Sequence, residues 1–135
     1  MQATKLLLAI VCCQLLGCND GDGLSRAVVS GSVTFQNQLV RDGQIRFVPQ
    51  GHTQGPLTIE PIKNGQYRCA RLGGVPVGMH RVEILAFHPD DPEPKGPGER
   101  PRRQLIPPRY NRESQLTVNI SSNDGPVVQD FKLSE

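Results

Sequence analysis

The side chains of this chain that could do chemistry fall into four groups. Cys18 stands directly after Leu15-Leu16-Gly17, and a thiol is a nucleophile able to carry an acyl or alkyl group. His88 is followed closely by Asp90, Asp91 and Glu93, which sets one imidazole beside three carboxylates, the donor types of a general base or of a calcium site. Arg100, Arg102, Arg103, Arg109 and Arg112 form the densest basic cluster, and guanidinium groups recognise phosphate and carboxylate. Tyr110, after Pro107-Pro108-Arg109, offers a phenol of the kind used at interfaces.

Each group also has a plainer use. The 88–93 stretch lacks the glycine and alternating acids of a calcium loop, and two prolines stiffen it, so it reads as a solvated acidic loop. His52, His80 and His88 are not at zinc-ligand spacing with one another or with a cysteine, and His80 fits a strand pattern as a packed or surface residue. No metal and no cofactor is expected. The arginine run reads as exposed charge, partly offset by the acids before it. Arg100, Arg102, Arg103, Arg109 and Tyr110 are the residues it offers as a contact surface, although Tyr110 could equally pack under its loop. There is no Gly-x-Ser-x-Gly elbow and no His and acid placed for a triad, so no catalytic residue is assigned.

Cys18 is different because of what precedes it. Lys5 opens the apolar run Leu6-Leu7-Leu8-Ala9-Ile10-Val11-Cys12-Cys13, the layout of a secretory signal. Leu15-Leu16-Gly17-Cys18 resembles a bacterial lipobox, in which the thiol takes up a group bearing two acyl chains and the chain is cut just before the cysteine. The resemblance implies a signal peptide at 1–17 and a lipidated N-terminus with a flexible tether at 18–26, the tether rich in Asn, Asp and Gly. The apolar stretch 6–16 is shorter than the roughly 20 residues a spanning helix needs. An ordinary signal peptide, cleaved near Gly17 without lipid, is the alternative.

Removing residues 1–17 from the 135 leaves 118, one domain by length, and takes away only Lys5 among the charges, so the formal balance moves from +2 to +1. Near-neutral charge gives no case for nucleic acid and no polybasic patch for anionic lipid. The expected membrane contact is through acyl chains, each buried methylene contributing about 0.8 kcal/mol. Of four cysteines, Cys12 and Cys13 leave with the signal and Cys18 takes lipid. Cys69 is left without a partner and reads as a small buried apolar residue.

The elements that must position these groups are strands. Gly and Pro number 14 and 12 and recur between short apolar runs, and no long helical periodicity follows residue 18. Alternation predicts strands near 28–35, 44–48, 57–62, 66–69, 79–87, 116–120 and 127–133. Turns are expected at Asp42-Gly43 and at Asn64-Gly65, the second being the best hairpin signal. Residues 72–78 read as loop, and 88–108 as a long Pro-rich loop of the functional or mobile kind. Seven strands with close turns suit an antiparallel β-sandwich.

Ser30-Gly31-Ser32-Val33-Thr34-Phe35, Asp42-Gly43 before Ile45-Arg46-Phe47-Val48-Pro49, Asn64-Gly65-Gln66-Tyr67 and Gly78-Met79-His80-Arg81-Val82-Glu83-Ile84 together resemble the carboxypeptidase regulatory-like family. Ile106-Pro107-Pro108-Arg109-Tyr110-Asn111, Leu116-Thr117-Val118 and Asp130-Phe131-Lys132-Leu133 resemble small lipoproteins abundant in planctomycete-type bacteria. The resemblance spans 27–133 and implies a transthyretin-like, prealbumin-type sandwich over 27–135 with no catalytic residues, since the related domain of metallocarboxypeptidases is an accessory. One departure is Asn37-Gln38-Leu39, where the family has a Gly-x-Pro turn; Asn tolerates the same left-handed backbone.

The expected protein is a non-enzymatic, exported lipoprotein on the periplasmic or cell-surface face, binding or supporting an envelope protein or glycan. Two other readings stay open: a small-ligand or glycan-binding lipoprotein, and a metal-dependent hydrolase using His88 and Asp90.

Overall fold

The computed structural model describes residues 22–122 and 125–135. Leu15, Leu16, Gly17 and Cys18 lie outside the described residues, as do the rest of the segment expected as a signal and the start of the expected tether. The described chain is all-β. In order it forms β1 (Arg26–Ala27), β2 (Val29–Phe35), β3 (Gln38–Leu39), β4 (Asp42–Pro49), β5 (Thr58–Lys63), β6 (Gln66–Cys69), β7 (Val75–Pro76), β8 (Gly78–Ala86), β9 (Thr117–Ile120), β10 (Val127–Val128) and β11 (Phe131–Leu133). Single 3-10 turns occupy Arg71–Gly73 and Pro108–Tyr110.

Period-two alternation builds one large sheet in the order β10-β2-β6-β5-β4-β8-β9, with β3 and β11 also on β2; β1 and β7 pair separately. On β4 and β8, Ile45 lies opposite Ile84 and Phe47 opposite Val82, all four fully buried. On β2 and β6, Val29 lies opposite Cys69, again buried. Asn64 and Gly65 turn the β5–β6 hairpin at φ 50° and 76°. That hairpin pairs only at Lys63 with Gln66; beyond it β5 follows β4 while β6 follows β2. The sheet therefore curls. Phe47 and Tyr67 sit on strands separated by β5, roughly 9–10 Å apart in a flat sheet, yet their ring centroids are 6.2 Å apart. Tyr67 also meets Phe131 at 6.4 Å.

Three expectations need correction. An all-antiparallel arrangement does not hold, because β10 and β11 both run parallel to β2. They are also two short strands instead of one 127–133 strand. The cause lies at Gly31, where an added Cβ would sit 1.9 Å from the Gln129 carbonyl oxygen: the chain crosses β2 there so closely that only glycine fits. The same oxygen accepts the Tyr67 hydroxyl at 2.6 Å, and the Asp130 carboxylate accepts the Ser32 amide at 2.7 Å and its hydroxyl at 2.9 Å. Second, Asp42-Gly43 is not a turn but the start of β4. Gly43 answers to close packing, with Leu85 O 2.2 Å from where its Cβ would be. The turn lies earlier, at Gln36 and Asn37 with φ 50° and 63°, so Asn does take the left-handed place. Third, the 72–78 loop contains β7, which holds β1 against the body, so pairing begins at Arg26 within the segment expected as tether.

Candidate functional site

The 88–108 loop is built by pairing of its two ends. His88 N–H donates to Arg103 O at 3.1 Å, and Leu105 N–H to Ala86 O at 2.9 Å. Inside the loop Asp91 accepts the Arg103 backbone amide at 2.7 Å and its guanidinium at 2.9–3.1 Å. The Arg103 side chain is the main cause that holds the Asp91 carboxyl at about 2. Asp91 and Arg103 thus satisfy each other within the loop.

Arg102 points the other way. Its side chain is only 9% exposed, 2.5 Å from Asp42 at the head of β4, and its guanidinium lies over the Phe87 ring at 4.5 Å. Lys63 reaches the same carboxylate at 2.7 Å. Burial works to raise the Asp42 pKa, but the hydrogen bonds from Lys63 and Arg102 outweigh it and hold the group below the usual carboxylate range. Arg102 therefore fastens the loop to the sheet. Arg100 is exposed on the loop.

Arg109 and Tyr110 belong to a different place, the 3-10 turn Pro108–Tyr110. Arg109 donates to Ser134 O at 2.9 Å, and the Tyr110 hydroxyl accepts the Ser134 amide at 3.2 Å. Hydrogen bonding to Ser134 lowers the phenol to about 8. Tyr110 packs against the core edge, the structural use that competed with a contact role. The five contact residues are thus distributed between a loop tip, a pin beneath it and a C-terminal clasp.

The titratable residues singled out in the sequence are equally separated. His80 is fully buried on β8, donates from Nδ1 to Gly78 O at 3.0 Å and stands edge-on to Phe47; desolvation lowers its pKa. His88 lies 3.4 Å from Asp90. His52 is exposed at the far end of the molecule, near Leu24 and Met79. Among the described residues no three His, Cys, Asp or Glu side chains converge as a metal site. Cys69 is 1% exposed, and burial pushes its thiol up to about 12.

One feature escaped the sequence reading. A groove of about 330 Å³ lies where β2, β3, the end of β8 and the returning arm of the loop meet. Phe35, Leu39, Phe87, Leu105 and Ile106 line it, and Arg41 stands at its edge. The signals were Leu39 in a polar connection and Leu105-Ile106 amid prolines and arginines, apolar residues without a periodic pattern to claim them.

The chain is thus an all-β protein with its loop and groove at one end. No family model matches it, and no curated protein matches it. Among solved structures it is similar to the crystal structure of a DUF3823 family protein from Parabacteroides merdae ATCC 43184, at 14% identity and a TM-score of 0.41. The match covers 78% of this chain and 44% of that one, so the chain spans less than half of that protein's length.

Proposed function

We propose that this chain is an exported, lipid-anchored β-sandwich of the transthyretin-like, carboxypeptidase regulatory-like kind, and that it acts by binding at the cell envelope, not by catalysis. The observation that carries the reading is Leu15-Leu16-Gly17-Cys18 placed after Lys5 and a short apolar run. The β5–β6 hairpin that opens after one pair supports the sandwich, since it divides the strands into two groups whose inward faces meet at Phe47 and Tyr67. The internal use of His80, Asp91, Arg102 and Arg103 supports binding over chemistry, because each group already serves packing or loop closure.

Intact mass of the protein extracted from membranes tests the anchor. The expected product begins at Cys18 and carries added acyl mass, and Cys18→Ala loses both the mass and the membrane fraction. A mature N-terminus elsewhere, or a Cys18→Ala protein that still sediments with membranes, overturns the reading.

A further inference from the structure

We propose that the groove bounded by β3, the end of β8 and the returning arm of the 88–108 loop binds a small amphiphile, a single aliphatic chain ending in one carboxylate. Its volume of about 330 Å³ falls at the low end of ligand sites, roughly 300–1,000 Å³, which suits one short chain. The walls are hydrocarbon and phenyl. Leu39 and Leu105 remain 54% and 42% exposed although the core is fully packed beside them, so the groove leaves apolar surface in water that a tail would cover. Such walls suit a hydrocarbon better than a sugar.

Charge at the lip selects the head group. Arg41 is exposed there, and among the described residues no carboxylate comes within 4.0 Å of its guanidinium. The carboxylate next to it in the chain is committed: Asp42 takes both Lys63 and Arg102, and Arg102 also lies 4.0 Å from Glu93. One unpaired guanidinium matches one carboxylate, which it can hold through two parallel hydrogen bonds. Gln38 also lines the groove and carries an amide donor.

The groove also lies at the end remote from the tether. β4 runs from Asp42 beside Arg41 to Pro49, and Gln50 just beyond it shares a recess with Gly23 and Leu24. Eight strand residues separate the two ends, roughly 25 Å. The site itself consists of described residues and does not rest on the lipid anchor.

The test uses the full-length protein in lipid nanodiscs, titrated with sodium [1-13C]octanoate and read by the carboxylate 13C shift, with empty nanodiscs as the blank. Saturable binding is expected, weakened about tenfold by Arg41→Gln, the scale of one charge-assisted hydrogen-bonded pair. Leu39→Ser should weaken octanoate comparably. Binding of [1-13C]octanol, read by its carbinol 13C shift, should be unaffected by Arg41→Gln, and [1-13C]acetate should not bind. No saturable octanoate binding above the blank overturns the proposal. So does equal binding by wild type, Arg41→Gln and Leu39→Ser, or capture of an apolar peptide C-terminus without octanoate binding. The anchor is read separately by mass, so either result stands without the other.

Discussion

His80 shows how a titratable residue becomes part of a core. Its ring fills space against Phe47, one nitrogen donates to Gly78 O, and Nε2 has no protein partner. Burial disfavours the charged ring, so its folded-state pKa lies below the ordinary 6.5. The unfolded chain then takes up the proton first as pH falls. The stability due to neutral His80 is complete above the ordinary value and declines below it, toward the depressed folded-state pKa. Urea midpoints at about pH 7.5 and about pH 5 should differ, with the acid midpoint lower, and the gap should narrow in His80→Gln. An unchanged gap would show that other groups set the acid sensitivity.

Among the elements, the 88–108 loop is the one whose character differs most from its composition. Arg102 looked like one more exposed charge, but it is buried over Phe87 and holds Asp42. Arg102→Gln should free the loop while the sheet persists. A loss of about 1–2 kcal/mol of local stability raises the open fraction about five- to thirtyfold. Limited proteolysis should then cut within 88–108 faster by that order, and equal cleavage rates would remove Arg102 from this role. The Asp91–Arg103 contact is a second tie; with Asp91 held at about 2, it is present above the ordinary carboxylate pKa of 3.8 and lost as pH falls through about 2. Six of the seven expected strands were legible because alternation reports which face is buried, and Val29, Val33, Ile45, Phe47, Val82 and Ile84 obey it, whereas 127–133 divides into β10 and β11. Alternation does not report the direction of a partner strand. The parallel seating of β10 and β11 on β2 depends on contacts across 98 residues, between Ser32 and Asp130, which no local pattern contains. The groove was hidden for the same reason, since the Phe35–Leu39 hairpin meets Phe87 and Leu105 from distant stretches of chain.

At the scale of the whole molecule, the two ends have different surroundings: Gly23, Leu24, His52 and Met79 at one, the loop, the groove and Arg41 at the other. If Cys18 is held in a bilayer, the short tether keeps the first end nearer to it. The burial of Cys69 makes this measurable, because its thiol is shielded and pushed up to about 12, leaving an introduced surface cysteine as the reactive one among the described residues. A bimane placed by Met79→Cys should be quenched by nitroxide lipids more than one placed by Leu105→Cys; equal quenching would mean that the molecule tumbles freely on its tether. The seating of β10 and β11 along β2 bears on timing as well. A chain that emerges N-terminus first makes β2 early, yet β2 stays without its outer partners until Val127 to Leu133 follow. Closure of the core must then wait until Phe131 and Leu133 have followed, so the growing polypeptide remains threadable until that strand is made.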